Sequence, residues 1–489
     1  MIDLFISPSG DDTASGTSLQ EAFATPHRAV LAARSYAGKK PITLYFRGGT
    51  YPLKQSLVLS VPDSGSESAP IVYRPYEQES VRLTGEGIPL KIAPFTDASA
   101  AHPLAPDTEM AGRANGGPLL WLRGVGHVAI QNLTFECGQG DGVVIDAGEN
   151  VRLLGCRIRQ IANTGIAIAG GRRHRIQSCD VDHTGGAAIQ IGGGDRMRLD
   201  RCDHVVDNCD VSHFGQREGG GKPGIVVSGV GVTLSHNRLH DGPNGAISLS
   251  GNDHLIASNR LHHVCLESGD TGAISMGGDW TERGICIEHN FFYDLGRSGT
   301  DATAVWMDDC ASGSVIFGNV FARCSRAVFI GGGRNHRVEN NVFVACEPAL
   351  EIDGRGLDTG AELHGLVYGV MKARFLAMNP LDGIYKTRYP ELREVAMYYQ
   401  AEDGIPPEGN LVLRNMCSER TWYRIHSHAS PKMVALQNNL IGEDPHFLDP
   451  ERDNYTLDGA SPAYEIGIKP IRFEQMGLYA DSFRQNPGA

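Results

Sequence analysis

Two stretches of this 489-residue chain concentrate carboxylates at spacings suited to proton transfer. The first is Glu267-Ser268-Gly269-Asp270-Thr271-Gly272, continued by Gly278-Asp279-Trp280-Thr281-Glu282. The second is Trp306-Met307-Asp308-Asp309-Cys310. Paired carboxyl groups break glycosidic bonds: one protonates the leaving oxygen, the other attacks the anomeric carbon or activates water. An indole beside a carboxylate suits a sugar, because the ring packs on C–H groups while polar residues take the hydroxyls. Period-two alternation places Trp306 and Asp308 outward, with Asp309 inward or at the bend. Asp270 ends a loop four residues before Ile274, where an Asp-Thr-Gly turn is the structural alternative. Asp279, beside Trp280, reads as a second carboxylate opposite Asp308 or as a strand-end cap, and Glu267 joins the same acidic cluster. Among the 18 histidines, His240 and His262 are expected to meet, as turn residues or hydroxyl contacts rather than as metal ligands.

These side chains need a scaffold, and a repeat supplies one. A small or polar residue, then Asn or Cys, then an alternating apolar stretch recurs at Asn132, Cys156, Cys179, Cys209, Asn237, Asn259, Asn290, Asn319 and Asn341. The steps run from 22 to 31 residues. A fixed circumference with outward loops is the pattern of a solenoid. The all-β fold expected is a right-handed parallel β-helix of about ten coils. The Asn/Cys position forms an internal ladder, so these asparagines are structural. A second strand per coil carries inward pairs such as Ile166/Ile168, Ile247/Leu249, Ile274/Met276, Val305/Met307 and Leu350/Ile352. Ser275, Trp306, Phe329 and Glu351 then face outward, with Asp308 and Asp353 following. Longer steps carry extra residues at 215–223, 265–271 and 296–303, loops expected to wall a groove. Coils lie about 4.8 Å apart, so aligned carboxylates one coil apart approach the roughly 5–5.5 Å of a retaining pair.

A single domain over 1–489 is expected: an N-terminal cap and first coils over 1–116, regular coils over 117–354, an insertion over 355–410, and last coils with a tail over 411–489. Residues 19–37 read as an amphipathic capping helix with Phe23, Val30 and Leu31 apolar. The stretch 96–116 reads as a loop, and Asn415 and Asn438 as a resumption of the coils. The chain holds 44 basic and 57 acidic residues, a formal charge of −13, with no basic stripe. Nucleic acid and membrane partners are not expected. No signal peptide is visible, although a trimmed leader would leave the same start. Eleven cysteines without a CxxC pair read as buried thiols. A cytoplasmic location is expected, with no cofactor or metal.

The opening Ser7-Pro8-Ser9-Gly10-Asp11-Asp12, then Gly16-Thr17 and Phe23-Ala24-Thr25, resembles the start of secreted β-helix polysaccharide enzymes. Gly48-Gly49-Thr50-Tyr51, Asp63-Ser64-Gly65, the segments 267–274, 279–281 and 308–313, and the closing Asp444-Pro445, Ser461-Pro462-Ala463 and Met476-Gly477-Leu478-Tyr479 extend it. Together they resemble glycoside hydrolase family 141, which includes α-L-fucosidase and xylanase activities. The resemblance implies a hydrolase of oligosaccharides or plant-type polysaccharide fragments. Its two aspartates, roughly forty residues apart in adjacent coils, map to Asp270 and the Asp308/Asp309 pair. Substrate contacts are expected from Trp306, Asp279, Trp280, Glu267, His240, His262 and Glu351. Alternatives are a polysaccharide lyase or uronate epimerase, which needs a cation beside a uronate, and a non-catalytic carbohydrate-binding β-helix.

Overall fold

The computed structural model describes residues 1–85, 116–217, 221–296 and 301–487. Apart from Gly116, the expected loop at 96–116 lies outside the described residues, as do parts of the loops at 215–223 and 296–303. Strands form three parallel sheets of 14, 13 and 12 members, here sheets 1, 2 and 3. The chain visits them in that order, for example Val128–Gln131, Thr134–Gly138 and Val143–Asp146. The count exceeds ten coils because the first coils, such as Ile42–Phe46 with Gly49–Leu53 and Leu57–Ser60, lack the Asn/Cys phrase.

The described residues fall into two compact units. The first comprises Met1–Gly194, Arg201–Val226 and Leu478–Ala489. Its sheet 3 register aligns Leu120, Val143, Ile166 and Ile189 inward. The ladder slot holds Leu133, Cys156, Cys179 and Cys209, all buried. Cys156 Sγ donates to Ile130 O at 3.4 Å and Cys179 Sγ to Leu153 O at 3.5 Å. All eleven cysteines are free thiols, as expected. The N-terminal helix is shorter than 19–37, running Pro26–Ala33. Thr25 caps it with Oγ1 accepting from Arg28 N at 3.2 Å, and Pro26 starts it, a pairing that fixes helix entry. Phe23 instead bridges to Ile6, and Leu31 is exposed.

The second unit comprises Asp195–Asp200 and Val227–Gly477. Here the slot is a continuous amide ladder. Asn237 Nδ2 donates to Asn259 Oδ1 at 2.9 Å, and the pattern repeats through Asn290, Asn319, Asn341, Asn415 and Asn439. From Asn259 to Asn439 each amide also donates to a backbone carbonyl, as Asn290 Nδ2 does to Ile256 O at 2.9 Å. Asn132 and Asn438 are therefore corner residues rather than ladder members. They sit at positive φ, 52° and 51°, one residue before the slot, where short polar side chains tolerate the left-handed conformation.

The insertion after Asp353 is helical, with Lys372–Met378, Gly383–Arg388 and Leu392–Ala401 among its segments. Val367, Met371, Phe375, Tyr385, Leu392 and Val395 pack with Trp280 and Cys310 into a second apolar cluster. The tail covers the outer face of sheet 2 in this unit: Tyr455, Leu457, Ile468, Ile471 and Phe473 pack on Phe291, Val320 and Val342.

Candidate functional site

The outer face of sheet 3 in the second unit collects the charged groups. Strands Gly272–Met276, Thr303–Met307, Arg326–Gly331, Leu350–Asp353 and Tyr423–Ile425 are neighbours there. Their register aligns Ser275, Trp306, Phe329, Glu351 and Arg424 in one outward column. Ile274, Val305, Val328 and Leu350 point inward and are buried, as the alternation predicts.

Asp308 still belongs to the ladder, its N–H donating to Met276 O at 2.8 Å. The chain then turns through two left-handed residues, Asp309 (φ 37°) and Cys310 (φ 59°). Consecutive non-glycine residues in this region store strain. The turn brings both carboxylates onto one guanidinium. Arg355 Nη1 donates to Asp308 Oδ1 and, at 3.0 Å, to Asp309 Oδ1. Its Nη2 donates to Asp353 Oδ2 at 2.9 Å. Two carboxylate oxygens on a single nitrogen are at most two hydrogen bonds apart. Gly331 and Gly332 make the approach possible: a Cβ on Gly331 would lie 2.8 Å from Arg355 Cζ, and one on Gly332 2.6 Å from Arg355 Cγ. The first two glycines of the triple 331–333 thus serve the arginine, while Gly333 makes room for Ala311 O and His336.

Burial, together with the neighbouring Asp308 charge, raises the Asp309 pKa above the usual carboxyl value, although Arg355 opposes the shift. Asp309 nevertheless keeps 37 % side-chain exposure and Asp308 32 %. The three aspartates hold Arg355 protonated despite its burial. A carboxyl whose pKa is raised beside a second carboxylate is the electrostatic arrangement of an acid with its partner base or nucleophile.

The aromatic residues form a floor under this charged layer. Trp306 and Phe329 meet edge to face at 5.6 Å, and both are buried. Arg326 lies over both rings at 5.2 and 4.7 Å, and Arg355 lies over Phe329 at 5.2 Å. Trp306 is therefore no open sugar platform, since arginine covers the face that alternation points outward. Glu351 is buried beneath Arg326 Nη1 and Arg424 Nη1, both at 3.2 Å, and His426 Nε2 at 3.0 Å.

Several expected site residues lie elsewhere. Asp270 is exposed, with no side-chain hydrogen bond or ion pair among the described residues. The pairing of Gly272 with Thr303 places it opposite Asp301, seven residues before Asp308. That is roughly 23 Å along a strand at about 3.3 Å per residue, so the inserted loop does not bring the two together. Glu267 is exposed on the same loop. Trp280 is fully buried, its Nε1 donating to Tyr399 Oη at 2.8 Å, and anchors the helical insertion instead of a sugar. Asp279 is a cap: its Oδ1 accepts from Thr281 N at 2.8 Å and from Thr281 Oγ1 at 2.6 Å, and its Oδ2 from Arg196. His240 and His262 do meet, stacked at 5.2 Å, but on sheet 2 and not on the sheet 3 face. Burial and the neighbouring His240 push His262 down to about 4. A surface hollow of about 410 Å³ lined by Arg323, Ser325, Glu347 and Glu419 lies at the start of the sheet 3 strands, away from the carboxylate pair at their ends.

Sequence reasoning missed Arg355, Arg326, Arg424 and His426. The alternation that found Glu351 also assigns Arg424 outward, once its strand is recognised. Arg355 carries no such signal, because it follows the last regular strand before the insertion.

Comparison with known proteins supplies the wider frame. The family model "Right handed beta helix region" matches residues 112–219 and 223–364. Pectate lyase PEL9 of Emericella nidulans is 38 % identical over 89 residues, 18 % of this chain and 19 % of that protein. The match thus spans about a fifth of the curated relative. Among solved structures, XylC in complex with xylose superposes with a TM-score of 0.58 at 11 % identity, covering 91 % of this chain and 87 % of that one. A glycoside hydrolase superposes with a TM-score of 0.50 at 13 % identity, covering 75 % and 98 %. At these identities the structural likeness concerns the fold. With more than half its length matched by that model and three long parallel sheets, the chain belongs to the right-handed β-helix family.

Proposed function

We propose that the protein is a glycoside hydrolase acting on an oligosaccharide or polysaccharide fragment through the Asp308/Asp309 pair. The observation that carries this is the sharing of one Arg355 nitrogen by both carboxylates. In this reading Asp309, whose pKa is raised, is the general acid that protonates the glycosidic oxygen. Asp308 attacks the anomeric carbon, since the short separation suits a retaining pair better than one that leaves room for water. Arg355 positions both. The resemblance to glycoside hydrolase family 141 supports the reaction class, with the site narrowed from Asp270 and the Asp308/Asp309 pair to the two adjacent aspartates.

A second reading, a polysaccharide lyase, is favoured by the arginines on the same face and by the short match to a pectate lyase. Elimination needs a cation at the sugar carboxylate and a base at the carbon beside it. The guanidiniums here face a larger number of carboxylates: Arg326, Arg355 and Arg424 against Asp308, Asp309, Asp353 and Glu351. That balance favours proton shuttling between carboxyls.

The test is product analysis from a panel of aryl glycosides and polysaccharides, following reducing ends and ultraviolet absorbance together. New reducing ends without absorbance, lost in Asp309→Asn and restored as a glycosyl azide when azide is added to Asp308→Gly, is the expected result. Absorbance from an unsaturated uronate would establish the lyase instead. Sugar binding without any product would make the site a binding module.

A further inference from the structure

We propose that the substrate is anionic: a uronate-containing oligosaccharide whose carboxylate is taken by Arg424 and Arg326 beside His426. The inference rests on the sheet 3 face being the sugar site and deepens that reading by naming the substrate class. It starts from an imbalance of charge. Two guanidiniums and an imidazole converge on the single carboxylate of Glu351. Arg355, by contrast, is saturated by three aspartates.

The two arginines are prepared differently. Arg326 is fixed: its Nε donates to Thr303 Oγ1 at 2.7 Å, its Nη1 to Glu351 Oε1 at 3.2 Å, and its plane rests on Trp306 and Phe329. Arg424 is open, with 62 % side-chain exposure and one bond, to Glu351 Oε2 at 3.2 Å, among the described residues. A guanidinium carries five N–H donors in a planar fork matched to a carboxylate. Arg424 therefore has donors to spare and faces solvent. Glu351 holds both cations without saturating either. His426, 39 % exposed, closes the rim with Nε2 on Glu351 Oε1 at 3.0 Å and Nδ1 on Ser427 Oγ at 2.7 Å.

Placement agrees. Arg424 shares its outward column with Glu351, Phe329 and Trp306. It stands three coils from Trp306, roughly 14 Å at about 4.8 Å per coil. An oligosaccharide lying across the coils with its reacting bond at Asp308/Asp309 would pass Arg326 and reach Arg424 within a few sugar units. The surrounding protein is acidic, at −13 overall, so it repels a polyanion except at such a cation pair. A neutral glycan offers that guanidinium only hydroxyl acceptors, which bind it more weakly than the charge-assisted fork of a carboxylate.

Binding, not turnover, tests this. Asp309→Asn protein is titrated calorimetrically with oligomers of galacturonate and of mannuronate, with the same oligomers after carboxyl reduction, and with a sulfated neutral oligomer. At least one uronate oligomer is expected to bind about tenfold tighter than its reduced form, ~1.4 kcal/mol, and to weaken with salt. Arg424→Gln should abolish that preference while leaving the affinity for the reduced form unchanged. Arg424 is exposed, so its replacement leaves the coils intact, and Arg420→Gln controls for general surface charge. Equal affinity for charged and reduced forms, an unchanged Arg424→Gln, preference for the sulfated oligomer, or no uronate binding would each overturn the proposal. A persistent carboxylate preference in a protein that gives unsaturated product, or none, would sink the hydrolase reading and leave this one standing.

Discussion

Asn290→Ala should be among the most destabilising single substitutions in the second unit. Asn290 is fully buried. Its Oδ1 accepts from Asn259 N and from Asn259 Nδ2, each at 2.9 Å. Its Nδ2 donates to Ile256 O at 2.9 Å and to Asn319 Oδ1 at 3.0 Å. Truncation deletes these four bonds and keeps the backbone ones, from Asn290 N to Asn319 Oδ1 and from Val320 N to Asn290 O. Two donors on Asn259 lose their acceptor in a site with no room for bulk water. At about 1–3 kcal/mol per orphaned buried group, the loss is about 2–6 kcal/mol. The same change at Asn439, the half-buried last rung, should cost about 1 kcal/mol, because water replaces the missing amide. Urea unfolding followed by far-ultraviolet circular dichroism reads both. Equal losses at the two positions, or a loss below about 1 kcal/mol at Asn290, would show that the ladder is packing and not hydrogen bonding.

Asp309→Asn should lower turnover by about 10²–10⁴ on sugars with poor leaving groups and less on activated aryl glycosides, which leaving-group dependence will show. In the wild type, activity should fall as pH rises through the raised Asp309 pKa; a basic limb unchanged in Asp308→Glu and lost in Asp309→Asn would assign it. Trp280→Ala should cost about 3–5 kcal/mol and expose the insertion to protease, since it deletes the centre of its apolar cluster and the bond to Tyr399; limited proteolysis with mass spectrometry checks this. Burial holds His204 and His336 neutral, at about 4, and His174 at about 3. Each accepts an N–H on Nδ1 and faces a carbonyl with Nε2, as in Ser314 N to His336 Nδ1 at 3.3 Å and His336 Nε2 to Ala311 O at 2.6 Å. The unfolded chain binds these protons first, so their stabilisation is complete above pH 6.5 and lost as pH falls toward 4, by up to ~1.4 kcal/mol per unit for each. His336→Gln should flatten that slope in urea titrations.

The coils were legible because one residue per turn must fill a buried slot, and Asn or Cys fills it in every coil with the recurring phrase except the one that uses Leu133. That constraint repeats and shows through loops of any length. The inward pairs were legible for the same reason. The charged site was legible only in part. Asp308 and Asp309 follow from alternation, but their partner Arg355 lies 47 residues on from Asp308, beyond a strand and a turn, where no period relates them. Trp306 was placed on the right face yet misread, because alternation gives direction and not cover: Arg326 comes from the next coil. Trp280 misled for a related reason, since the helices that bury it are 87 or more residues downstream. Asp270 came from a resemblance of motifs, and its offset of seven residues along the strand is a matter of register that motif spacing does not carry.

The corner residues just before the ladder slot have one more consequence, for the order in which the chain matures. In the first unit Ser178 Oγ donates to Asp481 at 2.7 Å, and Asn208 exchanges bonds with the Tyr479 backbone at 2.9 Å in each direction. In the second, Gly477 N donates to Ser258 O at 2.7 Å, and Asn340 bonds the Lys469 backbone. The partners of all four corners lie at least 129 residues downstream of them, so they are synthesised much later. Coils can stack as they emerge, but this seam closes only after synthesis of that stretch ends. Until then the apolar surface around Phe291, Val320 and Val342 stands uncovered, so a nascent or prematurely stopped chain displays the feature that chaperones and proteases read as unfinished.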